Sequence, residues 1–174
     1  PTIFRSDPVL DCDDDGNFYY NSLTNSPSYQ CKVFKSNNGG TTWDAGVDAY
    51  GGDKQWMVID RTPGVGNDHI YSFWTSYYSV CTPDNFTRST NSGNSYEPCS
   101  FVDNDPFYSN MAVGRNGELF IGSGGSTYDS LSIARSLNAQ IPGSSIAWDL
   151  TGSVFMDGNL DGWNQVNPQG LMGQ

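Results

Sequence analysis

Short apolar segments alternate with polar turns along the sequence. In three places an apolar segment leads into a turn containing Gly with Asn or Asp, and a second apolar segment follows, over residues 7–20, 56–74 and 111–121. Asn-Gly and Asp-Gly turns between apolar segments indicate β-hairpins, because these residues tolerate the positive φ that tight turns need. No stretch has a sustained apolar period of 3.6 residues, so the pattern predicts an all-β protein with almost no helix.

The hairpins belong to a longer unit that occurs three times. A nine-residue segment at 35–43 recurs at 88–96, 53 positions later, with the shared pattern basic-Ser-x-Asn-x-Gly-x-(Ser/Thr)-aromatic. A third copy begins at Arg135, carries an insertion before Gly143 and ends at Trp148. The copies are in step with the hairpins, which indicates a repeating structural unit.

The repeat length of about 50 residues is typical of β-propeller blades, which consist of four short antiparallel strands. The sequence therefore predicts three such blades within residues 1–156, at about 5–52, 53–104 and 105–156, followed by a tail or the start of further sequence at 157–174. Three blades do not close a ring, since known propellers have about 4–8 blades. We expect an incomplete ring or part of a six- or seven-bladed propeller, completed by further blades of the same precursor or by identical chains.

The nine-residue segment resembles the Asp-box of the sialidase-like (BNR-repeat) β-propellers, usually written Ser-x-Asp-x-Gly-x-Thr-Trp. Asn stands where the family usually has Asp, and the matching positions are Ser36, Asn38, Gly40 and Trp43, then Ser89, Asn91, Gly93 and Tyr96. The Asn side chain can cap backbone N–H groups of its own turn, and the Gly can adopt a left-handed conformation. The resemblance implies a structural turn on the rim opposite the functional face, and it implies a fold rather than an activity.

Charge and cysteine content indicate the environment of the protein. Eight Lys and Arg against 19 Asp and Glu give a net charge of -11, which argues against nucleic acids and anionic membrane surfaces as partners. No run of about 18 apolar residues is present, so no membrane-spanning helix and no membrane insertion are predicted. An even number of dispersed cysteines without a CxxC pair predicts two disulfides and a secreted protein: Cys12, Cys31, Cys81 and Cys99. Three pairings are possible, with Cys12–Cys31 and Cys81–Cys99 as the default, and the alternative is free thiols in a cytosolic protein.

Two acidic segments have the spacing of calcium-binding loops. One is a D-x-D-x-D-G pattern and the other is D-x-N-x-D-G, formed by Asp11, Asp13 and Asp15 and by Asp157, Asn159 and Asp161. Alternating oxygen side chains on a tight turn can supply three or four of the ligands that calcium needs. Neither segment has the Glu that ends an EF-hand loop, and the alternative for the first segment is a solvated hairpin turn. Calcium is the one cofactor that the sequence suggests.

Two single polar residues leave alternatives open. Asn85-Phe86-Thr87 would be a glycosylation site in a secreted eukaryotic protein and an ordinary strand elsewhere. His69 is the only histidine and lies between a turn and a strand. No G-x-S-x-G segment accompanies it, so it is predicted to be a turn or surface residue rather than part of a catalytic triad.

In propellers of this kind, the starts of the first strands gather with neighbouring loops at one end of the axis. In this chain they would bring together aromatic, acidic and basic side chains: Arg5, Asp53, Lys54, Trp56, Tyr77 and Asp105. Rings beside carboxylates suit sugars, because rings stack on C–H faces and acids accept hydrogen bonds from hydroxyl groups. The alternative is that the rings belong to the core and the acids to solvated loops. The predicted partner is a glycan or a protein ligand.

The resemblance to sialidases also implies a catalytic set, which this chain does not supply in full. The set comprises three arginines that grip a carboxylate, a Tyr/Glu nucleophile pair and an Asp acid/base. Only Arg5 is placed for the first role, and Asp7 is a candidate acid. We therefore expect an extracellular, non-catalytic segment that acts in binding or as a structural scaffold. The alternative is part of an exo-acting glycoside hydrolase whose remaining catalytic residues lie outside this chain.

Overall fold

The computed structural model describes residues 5–25, 28–103, 106–124 and 130–155. These residues contain no helix and form eleven strands: β1 (Ser6–Cys12), β2 (Phe18–Thr24), β3 (Gln30–Ser36), β4 (Val47–Asp48), β5 (Trp56–Ile59), β6 (Ile70–Phe73), β7 (Phe86–Ser89), β8 (Phe107–Val113), β9 (Leu119–Gly124), β10 (Ser130–Ser136) and β11 (Leu150–Phe155). The predicted all-β class is confirmed. Within the described ranges, no helix is long and apolar enough to cross a membrane.

The strands form three antiparallel sheets in chain order. The first sheet is β1-β2-β3-β4, the second is β5-β6-β7, and the third is β8-β9-β10-β11. Each sheet begins with one of the three hairpins that the turn residues predict. The second sheet has three strands where four are expected, because the next segment pairs with β7 only through a bridge between Phe86 and Ser100. That segment contains Pro98, which has no N–H to donate to a ladder.

Equivalent positions in the three sheets follow from the strand register. The last residue of each first strand pairs with the first residue of the second strand: Cys12–Phe18, Ile59–Ile70 and Val113–Leu119. Because side chains alternate between the two faces of a strand, each sheet has two faces that can be matched across the chain. Face A carries Val9, Trp56 and Asn110 at equivalent positions, and face B carries Leu10, Met57 and Met111.

The sheets pack against one another in a constant order. Face A of the first sheet buries against face B of the second in a core that includes Tyr19, Val33, Met57 and Ile70. Face A of the second sheet buries against face B of the third in a core that includes Tyr71, Phe86, Leu119 and Ile121. The second sheet is therefore covered on both sides, and every position of β6 and β7 is buried. Full burial of such apolar side chains contributes about 1.5–3 kcal/mol each.

The three copies of the repeated turn share one hydrogen-bond pattern. The Ser hydroxyl donates to the Asn carbonyl oxygen at 3.0–3.1 Å in Ser36–Asn38, Ser89–Asn91 and Ser136–Asn138. The same Asn oxygen accepts a backbone N–H at 2.8–3.0 Å from Thr42, Ser95 and Ala147. Ala147 therefore occupies the position of Thr42 and Ser95, and the third copy holds an insertion of five residues. Trp148 is thereby the counterpart of Trp43 and Tyr96.

One of the two predicted disulfides is present. Cys81 and Cys99 are bonded, which confirms that pair, whereas Cys12 and Cys31 are free, so that predicted pair is wrong. β2 lies between the two strands that carry them, and Cys12 pairs with Phe18 while Cys31 pairs with Leu23, five residues further along β2. Two strand spacings and five residues of rise leave their Cα atoms about 19 Å apart, far beyond the ~7 Å limit of a disulfide.

Two polar residues occupy core positions. Asn85 is fully buried, and its side-chain oxygen accepts the backbone N–H of Val102 at 2.9 Å. A side chain with this role is not accessible to glycosylation in the folded protein. His69 ends the turn before β6, where its backbone N–H donates to the carbonyl of Gly66 at 2.9 Å, as the turn alternative predicts. It is 4% exposed, so the surface alternative is wrong. Burial lowers the pKa of this imidazole, although the nearby Asp60 carboxylate opposes the effect.

Candidate functional site

A cavity of about 410 Å³ lies where the first strands of the three sheets begin. β5 contacts both β1 and β8, so the starts of these strands are neighbours in space. The cavity is lined by Asp7, Pro8, Val9, Lys54, Gln55, Trp56, Tyr108 and Ser109. All three sheets contribute to it, which makes it a site that the sheets form only together. The repeated turns lie at the other end of the sheets, because Ser36 pairs with Phe18, next to the β1–β2 turn.

Three equivalent residues in the cavity wall have a left-handed backbone. Asp7, Lys54 and Tyr108 have φ angles of 47°, 55° and 50°. In β1 and β8 the ladder shifts by one residue at these positions, as in a β-bulge. The second sheet has the same irregularity, since Thr75 donates its N–H to the carbonyl of Asp53 at 2.9 Å. Such bulges redirect side chains, and here each strand turns one polar side chain toward the cavity.

Two residues that line the cavity each have a buried side-chain oxygen with no hydrogen-bond partner among the described residues. These are the side-chain oxygen of Gln55 and the hydroxyl of Ser109. Gln55 is 2% exposed and Ser109 is 6% exposed. A buried polar group without a partner is destabilising by roughly 1–3 kcal/mol.

Charged groups stand together at the cavity. The Lys54 ammonium lies 3.8 Å from the Asp7 carboxylate and 3.6 Å from the Asp53 carboxylate. The Lys54 side chain is 53% exposed, and ion pairs of this length and exposure are weak. The ammonium and both carboxylates therefore remain free to reorient toward a ligand.

Aromatic rings form the apolar part of the wall and its rim. Trp56 is partly buried and packs against the core between the second and third sheets. The ring centroids of Tyr108 and Phe107 lie 4.2 Å apart. The ring of Phe107 also contacts the exposed ring of Tyr77 edge-on, with 5.9 Å between the centroids. Polar groups and rings therefore occur side by side around the cavity, as in sites for small polar ligands.

The structure brings most of the predicted binding residues together. Lys54 and Trp56 line the cavity with Asp7, Asp53 pairs with Lys54, and Tyr77 reaches the rim through Phe107. Asp105 lies outside the described residues.

Arg5 is not part of the cavity wall. Its guanidinium donates to the carbonyl of Ser22 at 3.2 Å and lies over the ring of Phe34 at 5.7 Å, on face B of the first sheet. Arg5 and Asp7, the two candidate catalytic residues, therefore point to different sides of β1.

Sequence reasoning missed Gln55, Tyr108 and Ser109. Each follows from a bulge and from burial between sheets, and both depend on long-range pairing. The residues at the three bulges, Asp7, Lys54 and Tyr108, share neither charge nor size, so no residue type marks the bulge position in the sequence.

The acidic hairpin of the first sheet engages protein partners. Asp11 accepts the backbone N–H of Ile59 at 3.0 Å and pairs with Arg61. Asp13 accepts hydrogen bonds from the Asn17 backbone and side chain at 2.8 and 2.7 Å and from the Tyr19 hydroxyl at 3.0 Å. Burial alone would raise the pKa of Asp13, but these hydrogen bonds outweigh it and the pKa is lowered.

Calcium binding stays a prediction. Asp15 is exposed in the turn, and the described ranges contain no group of three or more His, Cys, Asp or Glu side chains placed to hold a metal. The second predicted loop, with Asp157, Asn159 and Asp161, lies outside the described residues.

Comparison with known proteins bears on the fold alone. No protein-family model and no curated protein matches the sequence. The structure is similar to a solved structure of a protein of unknown function from Dyadobacter fermentans, with 14% sequence identity and a TM-score of 0.50. The match covers 78% of this chain and 48% of that one, so this chain spans about half the length of the protein it resembles.

Proposed function

We propose that this chain is a segment of an extracellular, sialidase-like β-propeller that binds a glycan in the cavity at the starts of β1, β5 and β8. Three observations support the propeller. The first strands of the sheets are neighbours, the faces pack in a constant order, and the repeated turns share one hydrogen-bond pattern. The disulfide between Cys81 and Cys99 supports folding in an oxidising compartment.

One observation carries the binding function. Gln55 and Ser109 line the cavity together with Trp56, and each has a buried side-chain oxygen without a partner among the described residues. Natural proteins rarely retain such groups without a reason, because each lowers the stability of the free protein. A bound ligand that donates hydrogen bonds to both oxygens gives that reason.

The chemistry of the wall favours a carbohydrate. Every sugar hydroxyl can both donate and accept, so one ring can meet the acceptors Asp7 and Gln55 together with the donor Lys54. The C–H face of a sugar can stack on the ring of Trp56, a residue of the cavity wall. A volume of about 410 Å³ falls within the range of small-molecule sites, roughly 300–1,000 Å³. Binding of a protein ligand would call for a broader surface.

Binding rather than hydrolysis is supported by the position of Arg5. Its guanidinium is held by Ser22 and Phe34 on face B of the first sheet, so it does not face a carboxylate in the cavity. The alternative is a glycoside hydrolase in which Asp7 acts as the acid and other residues come from outside this chain. Turnover of a fluorogenic sialoside by the longest soluble form of the protein, lost in Asp7→Asn, would favour that alternative.

The test is direct binding of defined glycans. The purified chain is screened against a panel of neutral and sialylated oligosaccharides, and the affinity of each hit is measured by calorimetry. Lys54→Gln and Trp56→Ala are expected to weaken binding tenfold or more, since each removes a direct contact. Phe101→Ala is the matched control, because this exposed ring does not line the cavity.

Two outcomes would contradict the proposal. One is that no oligosaccharide of the panel binds. The other is that binding is as strong in Lys54→Gln as in the unmodified protein, which would place the glycan elsewhere. Because Trp56 also packs in the core, thermal unfolding of Trp56→Ala is recorded alongside. If Trp56→Ala is unfolded, the binding result for Lys54→Gln decides, since the Lys54 side chain is exposed.

A further inference from the structure

The β6–β7 loop, residues 74–85, presents exposed aromatic rings at the end of the sheets where the cavity lies. Tyr77 is 70% exposed and Tyr78 is 58% exposed. The loop leaves β6 at that end, because Phe73, the last residue of β6, pairs with Trp56 of the cavity wall. We propose that the ligand of the cavity is an oligosaccharide chain whose further sugar units stack on these two tyrosine rings. This extension rests on the proposed function, and it adds the length of the glycan and two residues that contact it.

The backbone of the loop is fixed to the cavity wall. The N–H of Asp53, which precedes Lys54 of the wall, donates to the carbonyl of Tyr78 at 2.8 Å. Gly52 forms a β-bridge with Ser79. A Cβ at Gly52 would lie 2.5 Å from the Tyr78 carbonyl oxygen, so only a residue without a side chain lets the loop pack this closely. The position of Tyr78 is therefore tied to the segment that leads into β5 and the cavity.

Further contacts hold the loop in one conformation. The hydroxyl of Ser79 accepts the indole N–H of Trp74 at 2.7 Å and the backbone N–H of Cys81 at 2.9 Å. Cys81 is bonded to Cys99, in the segment that pairs with β7 through Ser100. A tyrosine on a fixed loop loses little conformational entropy when a ligand binds, because only two side-chain torsions remain to be ordered. The exposed rings are thus prepared for a contact before the ligand arrives.

The two tyrosines reach toward different sheets. The ring centroid of Tyr78 lies 5.2 Å from that of Tyr29, which directly precedes β3 and packs against the core between the first and second sheets. The ring of Tyr77 contacts Phe107, which begins β8 and precedes Tyr108 of the cavity wall. One ring therefore stands on the side of the first sheet and the other on the side of the third. A sugar chain that extends from the cavity in either direction has an exposed ring beside it.

The cavity and the loop offer different kinds of contact, which suits a chain of linked units. In the cavity, Asp7 and Lys54 can select one sugar unit through the pattern of its hydroxyl groups. A tyrosine ring stacks on the C–H face of a sugar and does not require one particular pattern. A single ring gives a weak contact, but a unit linked to a sugar already held in the cavity is presented to the ring at a high effective concentration. The stacking units then add affinity, and the unit in the cavity supplies the selectivity.

The experiment measures affinity as a function of chain length. Each oligosaccharide that binds in the panel of neutral and sialylated glycans is compared by calorimetric titration with its truncated forms, down to the shortest form that binds. The longest form is expected to bind about ten- to hundredfold more tightly than the shortest, as two stacking contacts of about three- to tenfold each would give. Tyr77→Ala and Tyr78→Ala should each remove about three- to tenfold of the affinity for the longest form. Neither variant should change the affinity for the shortest form, which the cavity holds alone.

Two reference variants separate the loop from the cavity. Trp43→Ala removes another exposed ring, in the first repeated turn at the other end of the sheets, and should leave both affinities unchanged. Lys54→Gln should weaken the binding of the longest and the shortest form alike, because it acts in the cavity. Since Tyr78 also contacts Tyr29, thermal unfolding of Tyr78→Ala is recorded, and Tyr77→Ala decides if that variant is unfolded.

Two results would overturn the extended chain and leave the cavity as a glycan site, with binding still weakened in Lys54→Gln. One is that the longest and the shortest forms bind equally tightly. The other is that the gain from chain length survives in both tyrosine variants, which would show that the exposed rings serve another partner, such as a protein. A panel in which no glycan binds, or binding that is unchanged in Lys54→Gln, would refute the proposed function and the extended chain together.

Discussion

The buried hydroxyl of Ser109 allows the sharpest test of the site, because the same group should affect stability and binding in opposite directions. Ser109 is 6% exposed and its hydroxyl has no hydrogen-bond partner among the described residues. Burying a hydroxyl in this state is unfavourable by about 1–3 kcal/mol in protein mutational data. Ser109→Ala removes the hydroxyl and leaves the backbone and the Cβ in place. Allowing for a small loss of packing, we expect the free protein to gain about 1 kcal/mol of unfolding free energy.

The gain is large enough to measure. In a domain of this size, about 1 kcal/mol shifts the melting temperature by roughly 2–4 °C. Differential scanning calorimetry of the ligand-free protein gives this shift. Calorimetric titration with a bound oligosaccharide should show the opposite effect, a loss of about tenfold in affinity, because a hydrogen bond to the hydroxyl is no longer available.

Ser123 provides the matched control. It is 7% exposed, its hydroxyl also lacks a partner in the described part of the chain, and it does not line the cavity. Ser123→Ala should therefore raise the melting temperature by a similar amount and leave the affinity unchanged. A lower melting temperature for Ser109→Ala would refute the view that its hydroxyl is unsatisfied. A higher melting temperature with unchanged affinity would refute the assignment of the cavity as the binding site.

Three other predictions concern the core. Burial lowers the pKa of His69 below its ordinary value of 6.5 against the opposing effect of Asp60, so the unfolded chain binds more protons as the pH falls through 6.5. This contribution to stability should be present well above pH 6.5 and be lost as the pH falls below it, and melting curves of His69→Gln should lose this part of the dependence. Thiol titration of the denatured, unreduced protein should find two free thiols, those of Cys12 and Cys31. A titration that finds no free thiol would contradict the structure. In the folded protein Cys31 should resist modification at mildly alkaline pH, because burial raises its pKa to about 12. Asp13→Ala should destabilise by about 1–3 kcal/mol in denaturant titrations by leaving the Tyr19 hydroxyl buried and unpaired, and Tyr19→Phe should cost less in that background than alone.

The local parts of the fold could be predicted from the sequence because their determinants lie within a few residues. An Asp-Gly or Asn-Gly turn between apolar segments specifies a hairpin by itself, and the first and third hairpins formed where these turns stand. The second hairpin formed around Gly66-Asn67-Asp68 in a longer connection. The Ser-x-Asn turn likewise contains its own hydrogen-bond partners. The pairing of Cys12 with Cys31 failed because it depends on register across β2, which proximity in sequence does not fix.

The candidate site likewise divides into residues that local sequence could place and residues that depend on long-range packing. Lys54 and Trp56 could be placed at the cavity because the start of a first strand can be read from the repeat. Arg5 could not be placed, since its contacts with Ser22 and Phe34 arise from packing on the outer side of the first sheet. The unpartnered oxygen atoms of Gln55 and Ser109 depend on which surfaces the neighbouring sheets cover, and no local pattern records that.

The three bulges bear on what the cavity is for. A residue other than Gly in a left-handed conformation is strained, by about 1–3 kcal/mol when the surroundings impose it, and glycine relieves that strain. The chain has 20 glycines, yet the bulge positions hold Asp7, Lys54 and Tyr108. Outside the cavity, Tyr50, Asp68 and Ser92 also have a positive φ. A scaffold whose only task was to pack three sheets would be more stable with glycine at these positions or with regular ladders. Three different side chains, one acidic, one basic and one aromatic, are instead held at the same strained position around one cavity. The same conformation is repeated with three different side chains around one cavity, which supports the proposal that these residues serve a ligand there.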